Sequence, residues 1–177
     1  MRIVVDEEIR ASTEELGRLI VASFEGVDPE GVEIRLEWAR GRRQTFTGRA
    51  YPQVPPRWRS HAGVRYLVRL DLPSVFRNRG YPLTYRYRGL RTAPWITVRD
   101  WRERLVALTA HEAYHTHQFR HAMRRSEVQA ERWAVRVLES WRMAPAEVAP
   151  ATQPRVVDPP RDEERDRPMQ LLLPGVA

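Results

Sequence analysis

The hydrophobic period of this chain turns from mostly strand-like to helical just before Trp101, and that change limits its fold class more than any other feature. In Val32-Glu33-Ile34-Arg35-Leu36-Glu37-Trp38 apolar and charged residues alternate, the pattern of a strand with one buried face. Arg2–Val5, Gln44–Tyr51 and Val64–Leu70 also read as strands, the last two closed by Pro52 and Pro73. Leu83–Arg88 is a further strand candidate inside the Gly-, Pro- and Tyr-rich stretch Asn78–Pro94, otherwise read as loop. An early helix interrupts the strands. Ser12-Thr13-Glu14-Glu15 has the pattern of a capping box, and Leu16, Leu19, Ile20 and Phe24 line one side of the segment it opens.

Beyond the change, the spacing is helical. Thr97-Val98-Arg99-Asp100 marks a helix start, and Trp101–Phe119 carries the helical period. Ser126, with Gln129 three residues on, caps a second helix that runs to about Met143, where Pro145 stops it. The expectation is an α+β domain over residues 1–143, a small, mostly antiparallel sheet packed on these two helices. Residues 144–177 hold a run of prolines and the charged segment Arg161–Arg167, a composition expected to be extended or disordered. Met169–Leu173 is the apolar patch in that tail with a chance to dock.

Composition removes several chemistries. There is no cysteine, which excludes disulfides, thiolate metal sites and cysteine nucleophiles. No apolar stretch of about 18 residues is present, so no membrane-spanning helix is expected. MRIVVDEEIR lacks the apolar run and cleavage site of a signal peptide, which makes the cytoplasm the expected location. The net charge is +7, and all 30 basic residues are arginines, scattered along the chain. A surface of that sign could attract nucleic acid, but the scatter argues against a dedicated site, and no more than weak, sequence-independent binding is expected.

The residues that carry chemistry are His111-Glu112-Ala113-Tyr114-His115. Residues four apart lie one above the other on a helix, so both imidazoles reach one ion. Imidazole and carboxylate suit zinc. Glu112, beside the first histidine, is placed to take a proton from a water that the ion makes acidic. Two surface histidines on an amphipathic helix would show the same spacing. Here, however, the segment is otherwise apolar, with Leu105, Val106, Leu108, Ala110 and Ala113. The second helix offers partners: its apolar stripe Ala134, Leu138, Trp141, continued backwards, lands on Glu131 and Glu127. Buried acids require pairing or a metal.

His111-Glu112-x-x-His115 followed by Glu127-x-x-Ala130-Glu131-x-x-Ala134 resembles the gluzincin arrangement, including its ImmA/IrrE-like branch. The resemblance implies a zincin-like fold and a zinc-dependent metallopeptidase acting on protein or peptide substrates. His111, His115 and Glu127 would hold Zn2+, Glu112 would be the general base, and Glu131 would hydrogen-bond a ligand histidine. It further implies a sheet-edge strand above the cleft that takes substrate as an added strand. The family commonly has Asp or Asn where Glu131 stands, and the linker between the helices here is short.

A rival reading takes His121 as the third ligand. His111-Glu112-x-x-His115-x-x-Gln118-x-x-His121 matches the metzincin pattern except that Gln118 replaces the glycine at which that helix breaks. Other functional readings are a DNA-associated protease, a repressor-cleaving regulator, and a zincin-like binding protein without turnover. The Tyr81–Tyr87 segment supplies tyrosines for an oxyanion-stabilising role, without singling one out.

Overall fold

The computed structural model describes residues 1–7, 9, 12–39, 46–56, 58, 61–73, 80–87 and 89–144, together with the backbone of 156–157. The start of the expected Gln44–Tyr51 strand, the Met169–Leu173 patch and most of the proline-rich tail lie outside the described residues.

In chain order the elements are β1 (Arg2–Val5), α1 (Thr13–Ala22), β2 (Val32–Trp38), β3 (Thr47–Tyr51), β4 (Tyr66–Leu72), β5 (Leu83–Tyr85), β6 (Ile96–Val98), α2 (Trp101–Arg120), α3 (Glu127–Met143) and β7 (Val156–Val157). The protein is α+β, with a small mixed sheet and three helices among the described residues. All three helices begin on side-chain caps. Ser12 accepts from the N–H of Glu15, Asp100 from Glu103 and Ser126 from Gln129. Each cap satisfies one of the backbone donors that a helix start leaves without an intrahelical partner.

The main sheet has the order β3-β4-β2-β1-β7, and β5-β6 form a separate two-stranded sheet. The expectation of a mostly antiparallel sheet is corrected here. β1 pairs with β2, β2 with β4 and β1 with β7 in parallel; in the main sheet only β3 against β4 is antiparallel. Alternation along a strand fixes which face is buried and says nothing of direction. Direction follows from the connections. α1 carries the chain back before β2 begins, so β2 runs parallel to β1. β3 then lies outside β4 as an edge, and β4 inserts between β3 and β2.

The register places Ile3, Ile34, Val68 and Ala50 in one row across the sheet, and Val5, Leu36, Leu70 and Gly48 in the next. This face, with Val32 and Leu72, forms the core against the helices. The opposite face carries buried Glu33, held by Arg35 at 2.6 Å and by His61 Nδ1 at 3.2 Å. α2 is buried on several sides, through Leu105, Val106, Ala107, Thr109, Ala110 and Ala113, because the sheet covers one side and α3 another. α3 meets it through Ala130, Ala134, Val137 and Leu138. The small residues let the two helices approach closely, and that approach positions the site.

Between α2 and α3, Ala122 has φ +50°, and the N–H of Met123 returns to the carbonyl of Gln118 at 2.8 Å. This left-handed residue just past the helix end is the usual place of a glycine. It lets a short linker reverse the chain and bring the first turn of α3 beside His111 and His115.

Candidate metal centre

Three atoms converge between α2 and α3. His111 Nε2 lies 3.1 Å from His115 Nε2 and 3.1 Å from Glu127 Oε2, and His115 Nε2 lies 3.3 Å from the same carboxylate oxygen. His111 and His115 come from one face of α2, and Glu127 is the first residue of α3. Both histidines are buried and Glu127 is half-buried. The group could hold a metal ion.

The outer atoms of the two rings decide how the inner ones are protonated. His115 Nδ1 lies 2.8 Å from Gln118 Oε1. The same oxygen accepts the backbone N–H of Ser126 at 3.3 Å, and the Gln118 amide donates to Gln129 Oε1 at 3.2 Å. Those contacts fix which end of the amide is oxygen, so His115 Nδ1 is the donor. Its Nε2 therefore carries a lone pair when the ring is neutral. His111 Nδ1 lies 3.4 Å from Glu131 Oε1, so it too is held as a donor. Without an ion, two acceptors, His115 Nε2 and Glu127 Oε2, face His111 Nε2. Only a proton there satisfies both, which makes His111 an imidazolium. Burial alone would lower its pKa, but the hydrogen bonds to Glu127 and Glu131 outweigh it and push it up to about 9. Chiefly through the hydrogen bond to His111, Glu127 is held down at about 2. Burial lowers the pKa of His115. A cation bound at the three atoms would take the place of that one proton.

Glu112 is adjacent but separate from this group. Its side chain lies against β3, where the N–H of Ala50 hydrogen-bonds the carboxylate. Oε2 is buried and has no hydrogen-bond partner. Burial raises the carboxyl pKa. Gly48 makes this position accessible: a Cβ there would stand 2.7 Å from Glu112 Cγ and 2.8 Å from Oε1. β3 is an edge strand laid along the glutamate, and any side chain at Gly48 would force Glu112 to move.

The remaining wall comes from residues that the sequence did not single out. The ring of Tyr87 stacks on His111, the planes 3° apart and the centroids 5.9 Å apart. Tyr87 was one of several tyrosines in its segment, and nothing in the spacing preferred it. Arg125 Nε lies 3.0 Å from Glu127 Oε1, the carboxylate oxygen turned away from the histidines, and so restrains the orientation of the Glu127 carboxylate. In the sequence alone Gln118 stands out as a misfit for glycine. The signal available for it was its place three residues after His115, on the same face of the helix.

His121 is not brought to the group. It caps the C-terminus of α2, is exposed, and packs against the ring of His117 at 4.3 Å. α2 continues unbroken past Gln118 to Arg120, so the turn that would swing His121 inward does not form. Tyr114 stacks with Trp133 of α3 at 5.3 Å, a packing role.

No known family model matches the chain, and neither a curated protein nor a solved structure is found to be similar to it. No helix among the described residues is long and apolar enough to cross a membrane.

Proposed function

We propose that this chain is a zinc-dependent metallopeptidase with a zincin-like catalytic domain, in which His111, His115 and Glu127 hold Zn2+ and Glu112 is the general base. The observation that carries the reading is the convergence of two imidazole Nε2 atoms and one carboxylate oxygen at 3.1, 3.1 and 3.3 Å. In a tetrahedral zinc site with bonds of roughly 2.0–2.1 Å, ligand atoms stand about 3.3–3.4 Å apart. Slight expansion would suffice. The donor set, two neutral nitrogens and one carboxylate, leaves a fourth position for water, as in catalytic sites.

When bound, zinc supplies Lewis acidity and a water acidified to near neutrality. The chain's own groups do the rest. Glu112 Oε2, buried and unpartnered, accepts a proton from the attacking water and returns it to the leaving amine. Its raised pKa matches both transfers. Gln118 and Glu131 hold the two ligand rings through their Nδ1 atoms. The edge of β3 offers backbone groups to an extended peptide, an added strand that would run past Glu112.

The test is hydrolysis of unfolded protein substrates and peptide libraries by zinc-loaded chain, wild type against Glu112→Gln. The wild type should cleave, and the variant should be slower by about 10²–10⁴-fold while keeping its zinc. A variant that cleaves as fast as wild type would remove Glu112 from the chemistry. A zinc-loaded wild type inert to every substrate would favour a binding protein without turnover.

A further inference from the structure

The arginines are spread along the chain, but the acids are not. Between Asp71 and Asp100 no acidic residue occurs, while Arg77, Arg79, Arg86, Arg88, Arg91 and Arg99 do. Arg77, Arg79 and Arg88 lie outside the described residues; the other three stand on or beside the β5–β6 hairpin.

That hairpin has two different faces. The register pairs Leu83 with Val98, Thr84 with Thr97 and Tyr85 with Ile96. Ile96 and Val98 are buried, Tyr85 is half-buried, and Tyr87, two residues on, stacks on His111. This is the inner face, turned to the metal centre. The outer face carries the Thr84 and Thr97 hydroxyls, 2.9 Å apart and exposed. One step along the same face stand Arg86 and Trp95, the guanidinium 4.7 Å from the ring centroid. Arg86 also donates to the carbonyl of exposed Arg91 at 3.3 Å.

Trp95 is 62% exposed, more than any other aromatic among the described residues. A tryptophan left in water forgoes a large favourable burial. Arg86 is the one described side chain stacked on it, so most of the indole stays open to solvent. Arg99 is paired with Glu103, which leaves Arg86 and Arg91 beside the indole. An open indole next to these two guanidinium groups is complementary to a ligand that repeats a flat ring and a negative charge.

We propose that this outer hairpin face binds single-stranded nucleic acid, with a base stacked on Trp95 and phosphates at Arg86 and Arg91. Charge alone would equally fit an acidic peptide, but Asp and Glu carry no ring for Trp95, whereas every nucleotide brings a base with its phosphate. A duplex keeps its base faces within its own stack, so an unpaired strand is the form that fits. Thr84 and Thr97 add hydroxyl donors suited to phosphate or sugar oxygens. The proposal does not depend on hydrolysis, because the face lies on the other side of the hairpin from Tyr87 and His111.

The experiment is fluorescence anisotropy of the full chain with labelled dT20 and rU20, at salt concentrations from 50 to 200 mM. Both strands should bind, and a duplex of the same length should bind several-fold more weakly. Trp95→Ala should weaken binding by about 5–100-fold, and Trp95→Phe, which keeps a ring, by much less. Arg86→Gln and Arg91→Gln should each reduce the slope of log affinity against log salt by about 0.7. Three results would overturn the proposal. One is no binding by wild type at 50 mM salt. Another is Trp95→Ala binding as wild type does. The third is poly-glutamate competing as well as dT20 per charge, which would make the face a general polyanion or acidic-protein surface. An unchanged circular dichroism spectrum and melting temperature in each variant show that the fold is intact.

Discussion

His115 Nδ1 meets Gln118 Oε1 at 2.8 Å, and that same oxygen receives the N–H of Ser126 just ahead of α3. One amide thus fixes the tautomer of a proposed ligand and ties α2 to the helix that supplies Glu127. Gln118→Met keeps the length and removes the acceptor. Zinc affinity, measured by competition with a chromogenic chelator, should fall about 10–100-fold while the protein stays folded. Gln118→Glu retains an acceptor and should stay within a few-fold of wild type. Wild-type affinity in the methionine variant would reduce Gln118 to packing.

Gly48 and Glu112 define a second relationship. Gly48 has no unusual backbone dihedral, so alanine there acts only through the space its Cβ takes from Glu112 Cγ, 2.7 Å away. Glu112 is buried and has little room to yield. Gly48→Ala should leave zinc content unchanged and lower the rate of peptide hydrolysis at least roughly tenfold, because small displacements of a positioned group are costly. An unaffected rate would show that Glu112 need not sit against β3.

The proton on His111 gives a pH dependence. In metal-free protein its pKa is raised to about 9, so the imidazolium stabilises the fold below the ordinary histidine value and that contribution disappears as pH rises through about 9. Zinc must displace this proton. Near pH 7.5, binding should release about one proton from His111, and affinity should rise about tenfold per pH unit until pH approaches 9. Calorimetry in buffers of different ionisation enthalpy reads the release. No release would mean that His111 is already neutral.

Glu103 gives an acid-side test away from the metal centre. It is buried at the start of α2, where it accepts the backbone N–H of Arg99 at 2.7 Å and the Nε of Arg142 at 3.0 Å. Burial alone would raise its pKa, but the hydrogen bonds from Arg142 and Arg99 win and hold it down at about 2. A depressed carboxyl stabilises the fold above its unfolded pKa, near 4.5, and that contribution is lost as pH falls towards 2. Glu103→Gln should cost on the order of 3 kcal/mol at pH 7, measured by urea unfolding. The variant's stability should vary less than wild type between pH 5 and 2. Equal acid sensitivity in both would contradict this role.

The caps at Ser12, Asp100 and Ser126 were legible in the sequence because capping is local: donor and acceptor stand three residues apart. The convergence of His111, His115 and Glu127 rested on helix periodicity and on a family pattern, and the structure places these three together. Strand direction was not legible, since alternation is the same in parallel and antiparallel pairs. Strand β6 is not legible either: it has three residues, and its Thr97 and Val98 also belong to the cap signal of the following helix. Gly48, Tyr87 and Arg125 reach the centre only through tertiary packing, which no local spacing encodes.

All the chemistry proposed for this chain requires that the three converging atoms bind zinc. Protein refolded or purified with zinc, then dialysed and analysed by mass spectrometry for metal, should carry close to one zinc per chain. His111→Ala, His115→Ala and Glu127→Ala should each lose most of it, whereas His121→Ala should keep it. Wild-type protein that stays metal-free after exposure to zinc, or that loses its zinc with His121→Ala but not with Glu127→Ala, would contradict the claim.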